Sequence, residues 1–71
     1  MEITGQITYV QLAGGFWGIR SDDGKAYQPT HDLPSHVQKE GLRIRARVTP
    51  KQAFTIFMWG ETVEVQSIQP V

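Results

Sequence analysis

The 71-residue chain contains no cysteine, so neither a disulfide nor a thiolate metal site can hold it together. No apolar run approaches the roughly 20 residues that span a bilayer. Net charge is also missing, with seven basic and seven acidic residues. A dedicated high-affinity nucleic-acid binder carries a basic excess, so the balance argues against that class. Met1-Glu2-Ile3-Thr4-Gly5 lacks the basic and apolar regions of a secretory signal. The sequence as it stands reads as cytoplasmic, and as exported if a leader preceded Met1. No repeat or low-complexity tract is present. A chain of this length buries only about 60% of its unfolded surface, and such a core supplies roughly 3–5 kcal/mol. Stability must come from closed β-sheet packing or from a partner.

Aromatic side chains fill part of that gap. Both tryptophans precede glycines, in Gly14-Gly15-Phe16-Trp17-Gly18-Ile19 and in Phe54-Thr55-Ile56-Phe57-Met58-Trp59-Gly60. A large ring beside a residue without Cβ suits a place where another backbone comes close. Charge is unevenly spread. Arg43, Arg45, Arg47 and Lys51 lie in a stretch free of acids, and the rest of the chain holds three basic residues against seven acids.

Strand periodicity dominates the pattern. Residues 2–12 read as a first strand whose apolar parity switches, from Ile3, Ile7 and Tyr9 to Val10 and Leu12. Such a switch predicts a bulge or sharp bend, and Gly5 is a second bending point. Ala13-Gly14-Gly15 turns the chain into a strand over 16–20, with Trp17 and Ile19 on the core face and Phe16 and Arg20 opposite. Ser21-Asp22-Asp23-Gly24 is a hairpin signal, and a short strand over 25–28 follows, ended by Pro29. One short helix is expected over residues 32–40, with Asp32 or Leu33 as N-cap, Pro34 in the first turn and Gly41 past the end. Leu42, Ile44, Ala46 and Val48 then alternate with Arg43, Arg45, Arg47 and Thr49 over a strand at 42–49. Pro50-Lys51-Gln52-Ala53 reads as a loop. A last strand runs from Phe54 to Ile68, broken near Trp59-Gly60-Glu61. Val63 and Val65 share a parity that Ile68 breaks, which predicts a second irregularity.

Short strands that must hide their edges close into barrels. Three strands, one short helix and two more strands make a single domain over 1–71. The order is that of an all-β, OB-fold-like five-stranded Greek-key barrel, with an SH3-like barrel as the alternative.

Gly14-Gly15-Phe16-Trp17-Gly18-Ile19, Asp22-Asp23-Gly24-Lys25, Tyr27 with Pro29, Leu33-Pro34, Gly41-Leu42-Arg43-Ile44-Arg45, Met58-Trp59-Gly60 and Val63-Glu64-Val65 together resemble a family of small bacterial domains. The resemblance covers nearly the whole chain. It implies an OB-like β-barrel of uncharacterised function, of a kind also found within exported or lipoprotein-like proteins. It brings no catalytic residues.

Candidate binding residues are Arg43, Arg45 and Arg47, with Phe16, Phe57 and Trp59. The arginines form a period-two stripe that could track phosphates, while aromatics stack bases at about 1–3 kcal/mol each. The plainer reading is a solvated face balanced by acids across the sheet, with Glu64 as one such partner. Phe16, Tyr27, Phe57 and Trp59 could form an exposed platform, although small barrels spend most aromatics on the core, Trp17 first. His31 and His36 lie five apart, a spacing that aligns no ligand pair even with Asp32 near. Asp22 and Asp23 serve the hairpin rather than a calcium loop. Ser21, Ser35 and Ser67 lie in no nucleophile motif. No cofactor, metal or membrane is expected. The leading expectation is a non-enzymatic module that binds a protein partner or a second copy of itself. The second is weak single-stranded nucleic-acid or oligosaccharide binding on the arginine face.

Overall fold

The computed structural model describes residues 1–12, 14–51 and 59–71. Among these residues, alternating apolar side chains make five strands, β1 (Glu2–Val10), β2 (Phe16–Ser21), β3 (Ala26–Pro29), β4 (Arg43–Pro50) and β5 (Glu61–Pro70). They close into a barrel in the order β1-β2-β3-β5-β4. Every neighbouring pair is antiparallel except β3 and β5, which meet in parallel through Tyr27↔Glu61, Gln28↔Thr62 and Pro29↔Val63. The result is the small OB-like barrel expected. The expected last-strand residues 54–58, the loop residues Gln52 and Ala53, and Ala13 of the first turn lie outside the described residues.

The core follows the strand parity. Ile3 and Ile7 of β1, Ile19 of β2, Ile44, Ala46 and Val48 of β4 and Val63 of β5 all point inward and are buried. Leu33 and Val37 join them from the β3–β4 connection. Burying such branched side chains contributes roughly 1.5–3 kcal/mol each. Trp17 packs against the same cluster, as its parity predicted. Tyr27 does so more completely: it is 2% exposed, which removes it from any surface platform. Its strand mates Ala26 and Gln28 take the outer parity, and Ile19 stands in register beside it.

Of the two expected irregularities, the one in β5 is present. β1 carries no bulge against β2: their register runs unbroken from Gly5↔Ser21 to Val10↔Phe16. Burial still passes from Ile7 to Val10, while Tyr9, 42% exposed, lies edge to face on Trp17 with centroids 5.0 Å apart. In β5 the register shifts between Arg47↔Ser67 and Val48↔Val65. Gln66 is the extra residue, so Val65 and Ile68 both reach the core despite opposite parity. The bulged Gln66 donates its side-chain amide to Thr49 Oγ1 at 2.8 Å. Gly5 sits where β1 changes partners, opposite Ser21 of β2 and Ile44 of β4. A Cβ there would collide with the Arg20 carbonyl oxygen.

The helix expected over 32–40 is not formed. Only Ser35–Val37 makes a 3-10 turn. Pro34 is extended (φ −56°, ψ 146°), so helical geometry cannot begin before Ser35, and no side chain caps the turn. Asp32 and Leu33 therefore have no N-cap role. A stretch this short cannot repay helix nucleation. The buried Val37 holds it instead, with the Gln38 side-chain amide donating to the Leu33 carbonyl at 2.8 Å. Gly41 does take a positive φ of 80°, but it serves a chain reversal in which its N–H donates to the Ile7 carbonyl. Among the described residues no helix is long and apolar enough to cross a membrane.

Candidate functional site

The barrel places the candidate residues on two outward surfaces. On β4, Arg43, Arg45 and Arg47 are all exposed while Ile44, Ala46 and Val48 between them are buried. Two residues along a strand advance about 6.8 Å, so the guanidinium groups leave the sheet at that interval. Across the sheet, Arg43 is in register with Gln6, Arg45 with Thr4 and Gln69, and Arg47 with Glu2 and Ser67. Glu2 is the one acid among these partners. Glu64, expected to balance an arginine, instead stands opposite Thr49 and lies 4.0 Å from the Lys51 ammonium. Register is the reason: Arg47 pairs with Ser67, three residues past Glu64, and Arg45 with Gln69.

Arg43 differs from the other two. Its guanidinium forks onto Asp22, with Nη1 to Oδ1 at 2.6 Å and Nη2 to Oδ2 at 2.8 Å. Asp22 reaches it because the β2–β3 turn leans over β1, where the Asp22 N–H donates to the Thr4 carbonyl at 2.9 Å. The hydrogen bond from Arg43 holds the Asp22 carboxyl below its ordinary range, and Asp22 in turn raises Arg43. Next in the turn, Asp23 accepts the Lys25 N–H at 3.1 Å and is lowered chiefly by that bond. Gly24 supplies the positive φ of 90° that the hairpin requires. Both aspartates thus act in the turn as expected, and Asp22 reaches beyond it as well.

The second surface is the outer face of β2. Phe16, Gly18 and Arg20 follow one another on it. Trp59 lies against Gly18: a Cβ at that position would come within 2.5 Å of the indole ring. Phe16 meets the indole edge to face, with centroids 5.6 Å apart. The Arg20 guanidinium carbon lies 5.6 Å from the ring centre. The indole is therefore wedged into a glycine notch, flanked by an aromatic ring and a cation. Gly60 lets the chain pass close beside β3, since a Cβ there would stand 2.5 Å from the Ala26 carbonyl oxygen. Trp59 holds the outside of the barrel rather than lying in its core. Phe57 lies outside the described residues.

The sequence reading missed the link between these surfaces. Gln6 of β1 is in register with Arg20 on one side and Arg43 on the other. Arg20 therefore belongs to the same cross-strand row as the arginine stripe. Only strand pairing reveals this, because nothing local relates residues 6, 20 and 43. Glu40 was missed too. Its carboxylate accepts the Tyr9 N–H at 2.8 Å and the Thr8 hydroxyl at 3.4 Å, tying the β3–β4 connection to the end of β1.

His31 lines a groove of about 260 Å³ with Asp32, Leu33, Val65 and Ile68, and His36 lies within the 3-10 turn. Among the described residues no three histidine, cysteine or acidic side chains are grouped to hold a metal ion. No family model matches this chain, and neither does any curated protein or any solved structure.

Proposed function

We propose that this chain is a non-enzymatic binding module that meets an anionic partner, a protein, on the outer face of β4. One observation carries the reading. Arg45 and Arg47 stand exposed at alternate positions of a doubly paired strand, Arg45 between uncharged Thr4 and Gln69, and Arg47 between Ser67 and a single acid, Glu2. Arginine is the residue best suited to forked recognition of carboxylates, and the pair to Asp22 is an example on the same strand. The non-enzymatic part rests on the sequence, where no serine lies in a nucleophile motif. Kinship with small bacterial OB-like domains belongs to the same proposal and rests on the shared residue words and the closed five-stranded barrel.

The nucleic-acid reading would use the same arginines together with Arg20. It also needs rings free to stack on bases. Tyr27 is in the core and Trp59 is wedged against Gly18, so this reading has less support.

The test is a titration of oligoglutamate, about ten residues long, followed through backbone amide shifts at low salt. Residues 43–47 should move, and the movement should collapse near 1 M salt, where the screening length falls to roughly 3 Å. Absence of any shift at low salt overturns the proposal. Concentration-dependent sedimentation without ligand would identify the partner as a second copy.

A further inference from the structure

Resting on that binding reading, we infer that the partner segment is an extended acidic peptide carrying carboxylates on alternate residues. Strand β4 is paired with β1 on one side and β5 on the other. Its backbone groups are thus committed to the sheet, and no ligand can add to it as a further strand. Recognition falls to the side chains alone, and their interval is fixed by the strand at about 6.8 Å. An extended peptide presents same-side groups at that same interval. Adjacent carboxylates on such a peptide point to opposite sides, so only one of them could meet the stripe.

Asp22 supplies an internal template. It already places a carboxylate on Arg43 in the forked geometry and so fills the first position of the stripe. The ligand register follows: two carboxylates, two residues apart, on Arg45 and Arg47. A third carboxylate gains a partner only when Asp22 is neutralised.

The experiment uses the full chain and blocked heptapeptides of threonine and aspartate. One peptide has two aspartates separated by a threonine, an isomer has them adjacent, and a third alternates three aspartates. The separated pair should bind about threefold to fivefold tighter than the adjacent pair. The third aspartate should add little to the native chain but about threefold to the Asp22→Asn variant. Asparagine suits the turn conformation, so that variant keeps its fold. Equal affinity for the separated and adjacent isomers overturns the extended register. An oligothymidylate of equal charge that outcompetes the alternating peptide overturns the peptide class in favour of single-stranded nucleic acid. Silence of both peptides and oligoglutamate sinks the binding module itself, which separates that failure from failure of the register.

Discussion

The outer faces of β2 and β4 are built from the same rule and end in opposite states. Each alternates core residues with outward ones, and each carries side chains that a binding site would use. On β2 a glycine stands at the middle outward position, and the chain's own Trp59 fills the space it leaves. On β4 that position is Arg45, long, charged and exposed. The lesson is that residue type alone does not make a surface available. A tryptophan near a notch becomes part of the fold, whereas a guanidinium on a paired strand keeps its charge in water.

The contrast can be broken at the strand that joins the two faces. Gly5→Ala should have the largest effect, destabilising the barrel by about 3 kcal/mol. The new Cβ meets a backbone carbonyl of Arg20, which cannot swing aside as a side chain would. Urea unfolding reads this directly, and an unchanged midpoint would refute the close approach of β1 and β2. Gly18→Ala comes next, at about 1–2 kcal/mol. It should push the indole of Trp59 off β2 and shift tryptophan emission to longer wavelength, over a steady contribution from Trp17. Emission that stays put would mean the notch does not hold the ring.

On the β4 side the effects are smaller. Asp22 has its folded pKa depressed, so its contribution to stability is present above the ordinary aspartate range. That contribution fades as pH falls through the lowered folded value. The difference in unfolding midpoint between native chain and Asp22→Asn should therefore be visible at neutral pH and vanish in strong acid. A difference that persists there would point to the turn rather than to the ion pair. The smallest effect on stability belongs to the Arg45→Gln, Arg47→Gln double variant, within about 0.5 kcal/mol of native. The same variant should lose the oligoglutamate response. A variant that unfolds early would make the stripe a structural feature.

Much of the fold was legible because parity is local. Ile68 out of step with Val63 and Val65 demanded an extra residue, and Gln66 supplies it. Asp-Gly marked its hairpin, and the alternation of Leu42 to Thr49 marked β4. The connection after β3 was misread, since Pro34 and Gly41 resemble helix ends while the extended ψ of Pro34 forbids a helix from Asp32. For the site, exposure of the arginines followed from parity. Burial of Tyr27, the seat of Trp59 and the partner of Glu64 did not, because each depends on strands distant in sequence meeting in one register. The forked pair of Arg43 and Asp22 is of the same kind, joining residues 21 positions apart.

The parallel seam between β3 and β5 has a kinetic consequence. It joins residues 27–29 to residues 61–63, so no segment that stops before β5 can close the barrel. Most of the pairings in this chain span long loops, and their closure entropy must be met before any contact rewards it. The barrel should therefore form late and in one concerted event, on the milliseconds-to-seconds scale of non-local β topologies. Until then the arginine strand, the glycine notch and the tryptophan that fills it exist only as separate stretches of chain.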